Sequence, residues 1–371
     1  MKVCIDIQAA IAQRAGVGRY TQALVQHLGP MSEPGALRLF YFDFKRRGMP
    51  FRVPNAHEQT VTWCPGRLVQ KAWKTIGWPA FDWFAGAADV FHFPNFIIPP
   101  LKRGRAVVTI HDVSFLRFPE AAEPRNLRYL NNQIRRTVDR ADLILTDSEF
   151  SASEIRTLLN IPEKRVRAVH LGLTPNMESP DRETIDSMRK VYGLERPYLL
   201  FVGTLEPRKN IPFLIECFEQ MHSFDGDLVI AGMQGWKVEP IRERMRTSSR
   251  RQNIRYVQYV DEQWLPALYA GAEIFLFPSL YEGFGFPPLE AMRCGVPVLS
   301  SRAGSLPEVL GEAACYVNDY DANAWAQTAA NLLDDSDRRD TLIRAGKEQA
   351  ARYQWEQTAR KTWDLYREAA S

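Results

Sequence analysis

Two carboxylates, Glu282 and Glu290, bracket a turn dense in glycine and proline: Tyr281-Glu282-Gly283-Phe284-Gly285-Phe286-Pro287-Pro288-Leu289-Glu290, continuing to Gly295. The apolar run Ala272 to Pro278 before it reads as a buried strand, and proline near the first helical position with Gly295 beyond the last frames a short helix. Glu282 is then expected in the loop and Glu290 in the first helical turn. A glycine loop feeding a helix N-terminus offers bare N–H groups and partial positive charge, which suits a phosphate. Two carboxylates beside it can accept hydrogen bonds from several hydroxyls. Phosphate together with polyol describes a nucleotide sugar, and the remaining candidate residues are weighed against that chemistry.

The cations come from Gly203-Thr204-Leu205-Glu206-Pro207-Arg208-Lys209-Asn210, which follows a strand expected over Tyr198–Val202. A helix comes next, with Leu214, Cys217, Phe218 and Met221 at one-face spacing. Arg208 and Lys209 thus meet at a strand end and a helix N-terminus, where like charges repel unless an anion sits between them, and a diphosphate is the natural occupant. The alternative is a pair of solvated charges, one of them partnered by Glu206. Near the N-terminus, a strand over 2–7, the loop Arg14-Ala15-Gly16-Val17-Gly18-Arg19-Tyr20 and a helix over 21–28 repeat the strand, glycine loop, helix arrangement. Here Gly16 and Gly18 would let the backbone approach a ligand, although an isolated G-x-G also fits a plain tight turn. His111 and Asp112 end the strand 106–110, where ligands of open α/β sheets bind. His111 could hydrogen-bond a substrate hydroxyl, or it could be a structural histidine with Asp112 capping a turn. His92 ends another strand and is a second candidate for the same cleft.

These residues need elements to hold them. Strands at 37–42, 60–64, 89–93, 142–146 and 165–170 alternate with helices at 124–140 and 149–159, which predicts a parallel, doubly wound sheet. A second such pattern runs from residue 198 through strands at 227–231, 254–260, 296–300 and 313–317, and helices over 322–333, 336–352 and 355–370 close the chain. The polar, proline-bearing stretch between them predicts a first domain over 1–175, a linker over 176–196 with a helix at 182–192, a second domain over 197–352 and a final helical segment over 353–371. The chain has 371 residues, is 45% hydrophobic and 25% charged, and carries a net charge of +3, which argues for an ordinary globular protein and against a nucleic-acid partner. The scattered Cys4, Cys64, Cys217, Cys294 and Cys315 read as reduced core residues of a cytoplasmic protein. Asp6 interrupts the N-terminal apolar run, so a signal peptide is not expected. Residues 63–86 interleave Trp63, Trp73, Trp78, Phe81, Trp83 and Phe84 with Arg67, Lys71 and Lys74, and fit either core aromatics beside an acceptor loop or a peripheral contact with the inner face of a membrane.

Taken in order, these motifs resemble the retaining glycosyltransferases of family 4, which have the GT-B fold: α/β, two doubly wound Rossmann-like domains facing across a cleft. Glu282 to Glu290 matches the family's E-x7-E motif, Gly16-Val17-Gly18 its N-terminal glycine loop, and His111-Asp112 its strand-end histidine. Gly203 to Asn210 is similar to its diphosphate loop, and Gly304 to Glu308 to its downstream glycine-glutamate turn. The resemblance implies that Glu282 with the backbone of Gly283, Phe284 and Gly285 holds the donor sugar, and that Glu290 accepts from the ribose. It implies that Arg208 and Lys209 neutralise the leaving diphosphate, and that His111 contacts the transferred sugar. It also implies a last helix that crosses back to the first domain. Many family members carry arginine where this chain has Thr204, a charge that Arg208 would supply. The loops most resemble members that use GDP-mannose in bacterial polysaccharide assembly, with UDP-, dTDP- or other sugars as alternatives and a glycan or lipid-linked acceptor. No cofactor beyond the donor is implied.

Paired carboxylates also suit a hydrolase, and a phosphorylase or a non-catalytic sugar-nucleotide-binding protein could use the same architecture. A metal-dependent transferase would need a D-x-D; Asp319-Tyr320-Asp321 and Asp335-Ser336-Asp337 have that form, but both precede helices, where aspartate is a routine cap.

Overall fold

The structure, a computed structural model, describes residues 1–13, 16–174 and 177–371. Arg14 and Ala15 of the glycine loop, and the boundary expected at 175/176, lie outside the described residues.

Two parallel sheets carry the fold. The first contains β1 (Val3–Asp6), β2 (Leu37–Phe42), β3 (Ala56–Val61), β4 (Val90–Phe93), β5 (Arg105–Thr109), β6 (Leu143–Thr146) and β7 (Val166–Ala168), in the order β3-β2-β1-β4-β5-β6-β7. The second contains β8 (Tyr198–Val202), β9 (Asp227–Ala231), β10 (Ile254–Gln258), β11 (Ile274–Phe277), β12 (Val298–Ser300) and β13 (Cys315–Tyr316), in the order β10-β9-β8-β11-β12-β13. Central strands such as β4, β6, β9 and β11 are buried throughout, as a sheet covered by helices on both faces requires. In each sheet the strand order reverses once, between β1 and β4 and between β8 and β11. Loops leaving those neighbouring strands are side by side, and this is where open α/β sheets bind ligands.

The chain forms two compact units. Unit 1 comprises Met1–Leu116, Arg125–Gly172 and Gln354–Ser371; unit 2 comprises Arg117–Pro124 and Leu173–Tyr353. The segment 176–196 falls inside unit 2, where Asp181 caps the helix Arg182–Tyr192 by accepting from the Thr184 N–H at 2.9 Å, and Arg189 donates to the Gly271 carbonyl at 2.8 Å. The helix Trp355–Ala370 packs within unit 1 on the helix Val17–Met31. Its Thr358 hydroxyl donates to the His170 carbonyl at 2.7 Å.

Several local expectations are corrected. The helix after the glycine loop begins at Val17, with Gly16 as its N-cap at φ 56°, so Gly18 is inside the first turn. A Cβ on Gly18 would stand 2.1 Å from the Gln13 carbonyl oxygen, so the close approach there is to the chain's own backbone. Strand β3 lies earlier than 60–64, because an edge strand exposing His57, Glu58 and Thr60 lacks the apolar signature of a central one. The helix Phe286–Arg293 starts at Phe286, since Gly285 adopts φ 106° as its N-cap; Glu290 therefore sits beyond the first turn.

Candidate active site

In unit 2, the β8 and β11 loops bring three of the sequence-selected side chains together. Lys209 Nζ lies 2.6 Å from Glu282 Oε1, and Arg208 Nη1 lies 3.0 Å from Glu282 Oε2. Arg208 Nη2 also donates to Glu206 Oε1 at 2.6 Å. Lys209 is 7% exposed, Glu282 5% and Glu206 3%. The loops are stitched by main chain as well: the Leu280 N–H donates to the Arg208 carbonyl at 2.8 Å, and Arg208 Nη1 reaches the Tyr281 carbonyl at 2.5 Å. Burial alone would raise the Glu282 pKa, but the charges of Arg208 and Lys209 outweigh it and hold the carboxyl down at about 2. Two cations are therefore matched by two carboxylates. The repulsion that pointed to a diphosphate is answered within the protein by Glu206 and Glu282, and the case for an anion here rests on the cluster's place at the strand reversal. Asn210, in the left-handed region at φ 55°, turns the chain from Lys209 into the helix Ile211–Gln220. Thr204 is exposed.

The glycine-glutamate turn downstream acts on Glu282 through the backbone. Gly304 has φ 64°, and a Cβ there would stand 2.3 Å from the Glu282 carbonyl oxygen and 2.7 Å from its nitrogen. Beside it, the Ser305 N–H and hydroxyl both donate to the Glu282 carbonyl, at 3.0 and 3.1 Å, and the hydroxyl also reaches the Phe284 carbonyl at 2.9 Å. Gly283, Phe284 and Gly285 are buried. Glu290 has a different partner: Tyr269 Oη donates to its Oε2 at 2.9 Å, and it is 6% exposed.

In unit 1, His111 and Asp147 lie two residues past the register partners Thr109 and Leu145 of the adjacent strands β5 and β6. His111 Nδ1 is 2.9 Å from Asp147 Oδ2, and Nε2 is 3.2 Å from the Pro94 carbonyl. With acceptors at both nitrogens the ring fits its protonated form. Burial opposes that charge, but the Asp147 carboxylate prevails and raises the His111 pKa. Asp112 accepts from the Ser114 N–H at 2.9 Å, a turn-capping role. Asp147 is not among the residues that the sequence singled out. Ser148 is the cap of the helix that follows, accepting from the Ser151 N–H at 3.1 Å, and the matching offsets of 111 and 147 past paired strands are the signal that could have identified the pair.

His92 is fully buried and belongs to the core. Its Nε2 meets Thr109 Oγ1 at 2.8 Å and its Nδ1 meets Tyr366 Oη at 2.6 Å, while Thr109 Oγ1 also meets Tyr20 Oη at 3.0 Å. Burial pushes its pKa down to about 3, so it is neutral. The Tyr20 ring stands edge-on to His111 with centroids 4.7 Å apart, so this network buttresses the histidine that does reach the strand-end region. Asp6, which ends β1, is a further carboxyl that composition did not single out. Burial raises its pKa to about 6 against the Gln8 N–H that it accepts at 2.9 Å. In the two D-x-D sequences, Asp321 accepts from the Asn323 N–H at 2.9 Å and Asp335 from the Arg338 N–H at 2.9 Å, both as helix caps.

Two parallel α/β units, each with charged residues at adjacent strand ends, are the architecture of the GT-B glycosyltransferases, and comparison with known proteins agrees. The family model "Glycosyltransferase Family 4" matches residues 15–177, and "Glycosyl transferases group 1" matches residues 184–349. O-antigen chain mannosyltransferase B of Escherichia coli is 32% identical, with 99% of this chain and 100% of that protein aligned. Sucrose-phosphate synthase from Thermosynechococcus elongatus superposes with a TM-score of 0.78 at 20% identity over 100% of both chains. WaaG, a glycosyltransferase involved in lipopolysaccharide biosynthesis, superposes with a TM-score of 0.71 at 15% identity, covering 98% of this chain and 99% of that one. The chain belongs to glycosyltransferase family 4 and has the GT-B fold.

Proposed function

We propose that the protein transfers mannose from GDP-mannose to a hydroxyl of a lipid-linked glycan, with retention at the anomeric carbon and without a metal ion. The observation that carries this reading is the end-to-end relationship to the O-antigen chain mannosyltransferase. The buried Arg208, Lys209 and Glu282 cluster supports it chemically.

The donor diphosphate would lie at the β8 and β11 loop ends. Arg208 and Lys209 would shift part of their hydrogen bonding from Glu206 and Glu282 to its oxygens, and negative charge growing on the leaving phosphate would be met by cations already in place. Glu282, ionised throughout the neutral range, would accept from sugar hydroxyls. Glu290 would accept from the ribose while Tyr269 fixes its other side. His111 would reach the sugar by sharing or replacing its 3.2 Å contact to the Pro94 carbonyl. Neither glutamate serves as a nucleophile. The acceptor hydroxyl attacks the face the phosphate leaves, and its proton passes to that phosphate. Metal independence is supported by the use of Asp321 and Asp335 as helix caps.

A thermal-shift screen of GDP-, UDP-, dTDP- and ADP-sugars tests the donor, since a ligand that binds only the folded chain raises Tm. GDP-mannose should give the largest rise; an equal or larger rise with a UDP-sugar replaces the donor. Proton NMR of the product should show the donor's anomeric configuration, and the opposite configuration excludes retention. EDTA should leave the rate unchanged, whereas a loss restored by Mn²⁺ defeats the metal-free mechanism.

A further inference from the structure

One short stretch of unit 1 carries a concentration of exposed large apolar side chains: Trp63 is 73% exposed, Leu68 63%, Ile76 70%, Trp78 55% and Trp83 55%. The tryptophans among them are held by ring contacts. The Trp78 and Trp83 centroids are 5.6 Å apart, Trp63 stacks on Phe84 at 5.8 Å, and Lys102 Nζ stands 5.2 Å above the Trp83 ring. The base beneath them is packed, because Trp73 contacts Phe42, Phe81 and Phe84, and its Nε1 donates to the Pro79 carbonyl at 2.6 Å. The helix Gly66–Thr75 turns Val69 inward. Arg67, Lys71 and Lys74, spaced to share one face, are exposed, with Leu68 beside them. Between Thr62 and Ala88 the sequence has a single acid, Asp82, and its carboxylate accepts from the Lys102 backbone N–H at 3.0 Å.

Tryptophans standing in water beside lysine and arginine are costly for a purely soluble surface and match the boundary of a bilayer, where indole rings occupy the headgroup level and cations meet lipid phosphates. We propose that this face docks on an anionic phospholipid surface, with Trp63, Trp78 and Trp83 entering the headgroup region and Arg67, Lys71, Lys74 and Lys102 facing the lipid phosphates. It deepens the lipid-linked acceptor reading above and rests on it for its purpose: the docked enzyme would meet its acceptor at the membrane. Among the described residues no helix is long and apolar enough to cross a membrane.

The test is co-sedimentation of the full chain with vesicles of phosphatidylcholine alone or mixed with phosphatidylglycerol. The protein should pellet with the mixed vesicles, and about tenfold less with phosphatidylcholine alone or in high salt. A Trp63→Ser, Trp78→Ser, Trp83→Ser variant and a Lys71→Glu, Lys74→Glu variant should each bind about tenfold less, with Tm and the nucleotide-sugar thermal shift unchanged. Failure of the wild type to pellet, or equal pelleting of both variants, overturns the proposal. A changed oligomeric state with unchanged vesicle binding also overturns it and assigns the face to self-association. Failure of the donor reading would appear in the nucleotide-sugar screen and leave the vesicle result untouched.

Discussion

Unit 1 and unit 2 use the same device to different electrostatic ends. Each places an acid and a base on loops leaving adjacent parallel strands: His111 and Asp147 after β5 and β6, and Lys209 and Glu282 after β8 and β11. In unit 2 a second cation and a second carboxylate join; Glu282 is held at about 2 and stays ionised across the neutral range, while burial lowers the pKa of Lys209. In unit 1 one imidazole faces one carboxylate, and against the effect of burial Asp147 raises the His111 pKa above its ordinary value. Parallel strand ends fix where two charges meet; the number of partners decides whether those charges can change.

Lys209→Ala should lower turnover by about 10³-fold by removing a cation aimed at the leaving phosphate. Tm should report a folded protein, because Arg208 still partners Glu282; unchanged turnover would remove unit 2 from the chemistry. His111→Gln should cost about 10²-fold in kcat/KM, the scale of one lost polar contact to a transition state, and should flatten the pH profile in the neutral range. A profile identical to wild type would show that the histidine does not set it. Gly304→Ala tests the support beneath Glu282. Its Cβ would press on the Glu282 backbone from a left-handed conformation, and a loss of about 1–3 kcal/mol in a denaturant titration is expected; a loss near zero would show that the turn gives way freely.

The smallest effect is in stability against pH. The raised His111 pKa makes its contribution fully present below its unfolded value, about 6.5, and lost as pH rises through the folded value. Glu282 behaves oppositely, contributing above its unfolded value and losing that contribution as pH falls toward about 2. Melting curves should therefore show the stabilisation of wild type over His111→Gln shrinking as pH rises above about 6.5. The Glu282 carboxylate itself titrates far below this range, so a pH-dependent difference between wild type and Glu282→Gln would report the buried Lys209, which loses the counter-charge that opposes its lowered pKa.

Much of this was legible in the sequence where a local pattern had a single physical meaning. β2, β8 and β9 fall on the residues expected because buried strands read as short apolar runs between turns. The helices Pro124–Arg140 and Glu149–Leu159 likewise follow their flanking punctuation. The meeting of Lys209 with Glu282, 73 positions apart in the chain, was legible only in part. Each residue stood out by its own loop, yet their ion pair depends on β8 lying beside β11, which no local pattern shows. The same reason hid Asp147, whose role comes from the pairing of β5 with β6. His92 was misplaced because a strand-end histidine looks alike whether it points to a ligand or, as here, between two hydroxyls in the core. Gly18 looked like a ligand-facing glycine because sequence does not reveal that the backbone approaching it is that of Gln13.

The C-terminal helix has a consequence for how the molecule comes into being. Tyr366 closes the hydroxyl chain on His92, and Trp355 lies where a Cβ on Gly172 would stand 2.2 Å from its nitrogen, so unit 1 lacks part of its interior until residues 354–371 exist. During synthesis, the unit whose residues emerge first must wait for the last segment. Unit 2, drawn from Arg117–Pro124 and Leu173–Tyr353, has its full complement once Tyr353 has been added. Domains generally mature in the order in which they are made; here the order of completion is reversed, and the later-made unit is the first able to fold in full.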